Sequence, residues 1–502
     1  MGGSRPGVSN IFDGFRCFSL DIRRRIGDIL VHGLPLSENA APASAGILDQ
    51  FGSEDLPASL LPLFLHLLPD EFFERIRGLE KIRQNNRVYT SAVVVWLMIW
   101  QRLRGGTLEA AVLELAHGLP ASFWPQPCER LRRQQDGEGH RLSCHTGAYN
   151  KARQELSVQL VEQCCDRVFQ QLTEQAAGRL PELGLRAFFF DGTSVRLPHT
   201  EALCQAYPPA SNQHGESHWP LIRMLVAHDL YTGLAMRPEW GPMYGDQAVS
   251  EQGLLERAIE RIPPGAVTVA DANFGVFSVA YASDRRAHPV VLRLTPARAK
   301  HLAGEALRDG IDRPLAWKPS RDDRRNHPEL PADASVAGRL IVRQVQPSNG
   351  GGPFLLALFT TLEAERDAIV ELYGQRWNIE TDLRSLKGTL KLEALTCTTP
   401  EMVAKEIDLA MLAYNLVRTV TYLAAQKAGL PPRAFSFTRV RNVVNAFAPL
   451  IAAATDPLQA RKLHDDMMYY VGQARLPRRT RKRPAYPRQV WPQPKTYPTR
   501  KA

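Results

Sequence analysis

Between Tyr373 and Lys387 the chain reads Tyr-Gly-Gln-Arg-Trp-Asn-Ile-Glu-Thr-Asp-Leu-Arg-Ser-Leu-Lys, and no other segment restricts its surroundings as much. The spacing Tyr-x2-Arg-x3-Glu-x6-Lys puts Tyr373, Arg376, Glu380 and Lys387 within an arc of roughly 60° on one face of a helix. Arg384 lands beside them. Leu372, Ile379, Leu383, Leu386 and Leu390 form an adjoining apolar stripe. The pattern predicts one helix that anchors itself with one stripe and presents a carboxylate bracketed by cations with the other. Such a face suits a metal-binding carboxylate working beside a phosphodiester backbone. Taken singly, Lys387 or Arg384 is more often a solvated surface charge. The functional reading therefore needs two more carboxylates in the right context.

Two short apolar runs supply them. Leu185 to Phe190 is aromatic-rich and stops at Asp191-Gly192-Thr193, and Ala266 to Ala270 stops at Asp271-Ala272-Asn273. Both runs read as buried strands. Either aspartate alone is more often a turn or cap residue. In the order strand–Asp, strand–Asp, helix–Glu, the three are expected to converge on an oxygen-rich site. Hard oxygen ligands suit Mg²⁺. With two ions about 3.5–4 Å apart, one activates the attacking oxygen and the other stabilises the leaving one.

The run from Tyr373 to Lys387 resembles the Tyr-Arg-Glu-Lys signature of the insertion-sequence-4 family of DDE transposases. So does the later segment with Thr399-Pro400-Glu401-Met402-Val403, Glu406 and Ala413 to Arg418, and the earlier Tyr149 to Leu156. The resemblance implies an α/β fold with an RNase H-like core and a β-rich insertion. It makes Asp191, Asp271 and Glu380 the catalytic, metal-binding carboxylates, served by two Mg²⁺ ions for which Mn²⁺ can substitute. Tyr373, Arg376, Arg384 and Lys387 would hold DNA, and Trp377 a base flipped from the transposon end. Taking a base out of the stack costs a few kcal/mol, and an aromatic platform returns about 1–3 kcal/mol. A bare tryptophan in a helix more often packs inward.

The implied activity is metal-dependent cleavage at terminal inverted repeats of double-stranded DNA, followed by strand transfer into target DNA through a hairpin at the excised end. The implied assembly is a homodimer that pairs two ends. Two other readings stay open: an RNase H-fold nuclease without strand transfer, and an inactive DNA-binding descendant.

At 502 residues, 44% of them apolar, the chain has room for several domains or one elaborated core. We read 1–180 as an α-helical DNA-binding region, with Arg75, Arg77, Lys81, Arg83 and Arg87 as candidate contacts. The core comprises 181–294 and 354–430, the insertion 295–353, and 431–473 is a helical region. Within the core, Leu221 to Ala227, Leu234 to Arg237, His288 to Leu294 and Phe354 to Phe359 read as strands, and Gln247 to Arg261 as a helix capped by Asp246. Trp317, in the insertion, either wedges into DNA or packs in a core.

The net charge of +10 is local. Residues 474–502 hold ten Lys/Arg and no acid, leaving 52 basic residues against 52 acidic ones elsewhere. This Pro-rich tail reads as disordered, and serves either as a salt-sensitive phosphate contact or as a solubilising segment. Arg23-Arg24-Arg25 adds a basic patch. Seven cysteines without a Cys-x2-Cys pair argue against a disulfide framework or zinc site, and Cys144-His145 reads as structural. Ser348 to Gly352 lacks the Lys-Ser/Thr of a phosphate loop. No signal peptide or spanning segment is legible, so the expected setting is the bacterial cytoplasm, at the nucleoid, with no membrane partner.

Overall fold

The computed structural model describes residues 60–80, 88–118, 124–126, 128–135, 141–176, 180, 183–212, 215–346, 352–454 and 456–476. Lys81, Arg83, Arg87, Arg23-Arg24-Arg25, Ser348 to Gly351 and the tail beyond 476 lie outside them.

A mixed eight-stranded sheet organises the molecule. Its strands are β1 (Ala187–Arg196), β2 (Leu221–Asp229), β3 (Glu239–Pro242), β4 (Val267–Ala270), β5 (Val290–Arg293), β6 (Asp312–Trp317), β7 (Val336–Val345) and β8 (Phe354–Thr360). They lie in the order β3-β2-β1-β4-β5-β8-β7-β6. β2 pairs antiparallel with both β1 and β3, and β4 and β5 run parallel to β1. Phe188, Phe189 and Phe190 are fully buried, as a central strand covered on both faces requires. The sheet and the helices on it share one contiguous apolar core, which also takes in residues of the N-terminal helices.

Helix α1 (Ser91–Arg104) and helix α2 (Val158–Gln175) belong to that N-terminal set. Helix α3 (Glu251–Ile259) precedes β4, and α4 (Phe277–Asp284) links β4 to β5. Helices α5 (Arg366–Gly374) and α6 (Trp377–Arg384) follow β8. Helix α7 (Pro400–Lys427) runs through the centre, buried along most of its length. Among the described residues no helix is long and apolar enough to cross a membrane, and the six cysteines form no disulfide.

Several elements differ from expectation. β1 does not stop at Asp191 but continues to Arg196, because β2 keeps pairing with it as far as Arg196↔Leu221. Leu234 to Arg237 makes only an isolated bridge, His228↔Ala235. Asp246 is not a cap: α3 starts later, where Ser250 Oγ accepts from the Gly253 N–H at 2.9 Å. Strands β6 and β7, from the stretch read as an insertion, extend the main sheet beyond β8. Trp317 does not face DNA. It is 3% exposed and packs edge-on against Phe359 at 4.8 Å, so core packing decides its role.

The predicted single helix over Tyr373 to Lys387 is also not uniform. Between α5 and α6 the backbone tightens, with Arg376 N–H donating to Tyr373 O at 3.0 Å and Ile379 N–H to Arg376 O at 3.1 Å, three residues back in each case. After α6 it widens into a π turn over Ser385–Thr389, closed by Leu390 N–H on Ser385 O at 2.9 Å. The apolar stripe is seated as expected, with Leu372, Ile379, Leu383, Leu386 and Leu390 all buried.

Candidate active site

The parallel register between β1 and β4 places the two aspartates. Phe190 pairs with Ala270, the last residue of β4, so Asp191 and Asp271 come next on adjacent strands at the same level. Asp271 then leaves the sheet in a turn that its own carboxylate caps, Oδ1 accepting from the Asn273 N–H at 2.9 Å. The turn lies tightly on β5: a Cβ at Gly275 would stand 2.0 Å from the Arg293 carbonyl oxygen. Only glycine fits there.

Glu380 enters from α6. Its Oε1 accepts from Arg376 Nη2 at 2.7 Å, one helical turn back. Arg376 is 1% exposed. Burial works against its charge, but Tyr373, Glu380, Asp191 and Asp271 together hold the guanidinium above its ordinary range. Burial pushes the Asp191 carboxyl up to about 7; Asp271 adds to this and Arg376 opposes it. The site is therefore rich in carboxylate and short of cation, with one buried guanidinium at its centre.

The remaining signature residues divide. Tyr373 is fully buried, and burial pushes its hydroxyl up to about 12, with the Arg293 and Arg376 guanidinium groups opposing the shift. In this conformation Tyr373 and Arg376 brace the site from inside and do not reach a DNA surface. Trp377 is half-buried, and Arg384 is exposed. Lys387 reaches across to β1, donating to Thr193 Oγ1 at 3.1 Å. Thr193 lies two residues beyond Asp191, on the same face of the strand. The structure thus gathers Asp191, Asp271, Glu380, Arg376 and Lys387 around the middle of β1, where its pairing with β4 ends, and leaves Arg384 exposed.

The sequence reading missed two features. Glu251 opens α3 with its carboxylate against Gly192, and Asn273 Nδ2 donates to it. Placing the helix start at Asp246 hid this residue, because it put Glu251 inside the helix instead of at its first turn. Asp382 is the second. Fully buried on the far side of α6 from Glu380, it accepts from Arg418 of α7 and from Arg433. Arg433 also donates to Leu230 O at 2.9 Å and Asp229 O at 2.6 Å, tying α6 to the end of β2. Asn415 completes the brace, exchanging two 2.8 Å hydrogen bonds with the Ala235 backbone. The stretch Ala413 to Arg418 therefore holds the helix that carries Glu380.

The donor set is hard oxygen, which fits a divalent cation such as Mg²⁺. Among the described residues, however, no three His, Cys, Asp or Glu side chains converge closely enough to hold an ion. Glu380 is engaged by Arg376 instead.

Residues 182–416 match the family described as Transposase DDE domain, a span that contains Asp191, Asp271 and Glu380. Transposase InsG for insertion sequence element IS4, from Escherichia coli (strain K12), is 26% identical over 367 residues, covering 72% of this chain and 80% of the relative. The cryo-EM structure of a piggyBac transposase synaptic complex with hairpin DNA aligns with a TM-score of 0.39 and 11% identity, over 82% of this chain and 85% of that one.

Proposed function

From the premise that this chain is a DDE transposase of the insertion-sequence-4 family, we propose that Asp191, Asp271 and Glu380 are its catalytic carboxylates. They serve metal-dependent cleavage at the element's terminal repeats and strand transfer into target DNA. The observation that carries this reading is the register that sets Asp191 beside Asp271, with Glu380 approaching from α6. The strand order β3-β2-β1-β4-β5, three antiparallel strands followed by two parallel ones, supports an RNase H-like core.

DDE transposase domains generally use divalent metal ions. We assign two Mg²⁺ ions, replaceable by Mn²⁺, to the three carboxylates. When bound, they activate the attacking oxygen and stabilise the leaving one. The chain's own part is to supply and orient oxygen ligands. Asp191 and Asp271 are fixed by the sheet, and Glu380 joins them on leaving Arg376. The released guanidinium can then accept a DNA phosphate, for which its planar fork is suited.

Lys387, beside Thr193, and the exposed Arg384 lie where a backbone would pass, and Trp377 offers a face for a flipped base. Tyr373 keeps Arg376 in place. The DNA partners are the inverted repeats and the target duplex, held by a homodimer, with a hairpin at each excised end. The N-terminal helices, with Arg75 and Arg77, contact the ends.

A plasmid carrying the gene's native flanking DNA, incubated with purified protein and Mg²⁺ beside Glu380→Gln and Asp191→Asn, tests the reading. Cleavage at the flanks by wild type alone is expected. Binding without cleavage in either Mg²⁺ or Mn²⁺ overturns the enzyme reading in favour of a DNA-binding descendant. Cut but never joined product overturns strand transfer and leaves a nuclease.

A further inference from the structure

The turn that follows the signature helix is held by side chains from both ends of the chain. Lys387 sits in the π turn Ser385–Thr389, and the carbonyls that end a helical run need partners from outside it. Two arginines supply them. Arg441, on helix α8 (Phe437–Ala453), donates from Nη1 to Thr389 O at 2.7 Å, and Thr438 of the same helix shares a 3.0 Å hydrogen bond with the Thr389 hydroxyl. Arg102, in the last turn of α1, donates from Nη1 to Leu390 O at 3.2 Å and reaches Lys391 O at 3.5 Å.

Arg102 is fixed at its other nitrogen as well. Nη2 donates to Glu406 of α7, a carboxylate that Arg153 shares. The Arg102 side chain is only 12% exposed, which turns it toward the protein and away from a DNA backbone. Lys391 returns the contact. Held in the left-handed region at φ 55°, it brings Nζ to 3.0 Å from where a Cβ at Gly105 would stand. Gly105 caps α1 at φ 67°, so glycine there serves both the cap and the approach. Asn445 Nδ2 donates to Leu103 O at 2.9 Å, tying α8 to the same end of α1. A helix dipole favours a cation in the last turn in any case. That accounts for the charge of Arg102, but not for its fork between Glu406 and the turn.

We propose that Arg102 is a positioning residue for Lys387: it fixes the turn that sets the Lys387 ammonium 3.1 Å from Thr193 Oγ1, and so couples the N-terminal helices to the catalytic face. The proposal rests on the reading of Lys387 as a DNA contact. The guanidinium suits the task because its planar fork serves two partners at once, where an ammonium is a single point. With the turn released, the Lys387 ammonium has no fixed place beside β1 and its phosphate contact is lost.

Full-length protein and a fluorescent duplex of the gene's native flanking DNA, titrated across a salt series and read by anisotropy, test this. The variants are Lys387→Met, Arg102→Met, the two together, and Arg153→Met, which removes the other arginine on Glu406 but no contact to the turn. Losing one phosphate contact lowers the slope of log affinity against log salt by about one. Lys387→Met and Arg102→Met should each show that fall, and the double variant no more than either, because both remove the same contact. Arg153→Met should keep the wild-type slope. Arg102→Met leaves Glu406 paired with Arg153, and thermal unfolding checks the fold. Should it unfold early, Arg102→Lys reports in its place, since it keeps a charge for Glu406 without the fork. A wild-type slope in the folded Arg102 variant beside a fall in Lys387→Met overturns the proposal alone. An equal fall in Arg153→Met, or a further fall in the double variant, does the same. A wild-type slope in Lys387→Met overturns the reading of Lys387 and the proposal with it.

Discussion

Arg376 Nη2 donates to Glu380 Oε1 across 2.7 Å, so the carboxylate that should complete the metal centre is held by a guanidinium buried to 1% exposure. A cation already stands among the carboxylates, and a second one must displace or accompany it. A hydrogen bond to a charged group is worth about 1.5–3 kcal/mol. Arg376→Gln should therefore raise Mn²⁺ affinity in the absence of DNA by about tenfold, while the slope of DNA affinity against salt falls by about one. Ion titration and a salt series on the same preparation check both. Unchanged ion affinity would show that Arg376 does not restrain Glu380.

Gly192 and Glu251 are close enough to test by strain. Gly192→Ala places a methyl group 2.5 Å from the Glu251 carboxylate. It should lose about 1–3 kcal/mol of stability through overpacking. Glu251→Ala in the same chain should return most of that, a coupling that a double-mutant cycle in urea reads directly. Simple additivity would show that the methyl group is accommodated elsewhere.

Asp382 braces the helix that carries Glu380, and its loss should be severe. Burial alone would raise its carboxyl, but Arg433 and Arg418 outweigh it and hold the group below the ordinary range. A depressed carboxyl stabilises the fold above the unfolded value of 3.8 and loses that contribution as pH falls through the folded one. Asp382→Asn should lose about 3–5 kcal/mol at neutral pH, because the buried Arg418 and the half-buried Arg433 lose their counter-charge. Its stability should then depend less on acidification below pH 4 than that of wild type.

Asp408 has the opposite sign. Burial pushes its carboxyl up to about 7, and Arg237 only partly offsets this. Its Oδ1 has no hydrogen-bond partner among the described residues. A raised carboxyl costs stability as pH rises from the unfolded value of 3.8 through about 7, and the full cost is present above that. Asp408→Asn should match wild type near pH 4 and exceed it at pH 8, by no more than ~4 kcal/mol. Paired denaturation curves at the two values decide the matter.

Trp377 is half-buried at the start of α6. Trp377→Ala should weaken binding of transposon-end DNA by about 1–3 kcal/mol, the value of one stacked base. It should also abolish the fluorescence rise of 2-aminopurine at the flipped position. A rise of wild-type size would place the platform elsewhere.

Local pattern made much of this molecule readable in one dimension. The apolar stripe of Leu372, Ile379, Leu383, Leu386 and Leu390 is buried as its spacing requires, and the strand ending at Ala270 stops before Asp271. Periodicity carries such information because burial repeats with the backbone's own geometry. The sequence by itself also determined the order strand–Asp, strand–Asp, helix–Glu, since order along the chain survives folding. What the tertiary structure alone decided was who meets whom. Pairing with β2 carries β1 past Asp191, and the burial of Tyr373 and Arg376 is not visible in a helical wheel. The contact of Glu251 with Gly192 joins residues far apart in sequence, as does the grip of Arg418 and Arg433 on Asp382. Charges and close approaches act through space, and their partners are fixed only when the sheet register and the packing of α7 set the distances.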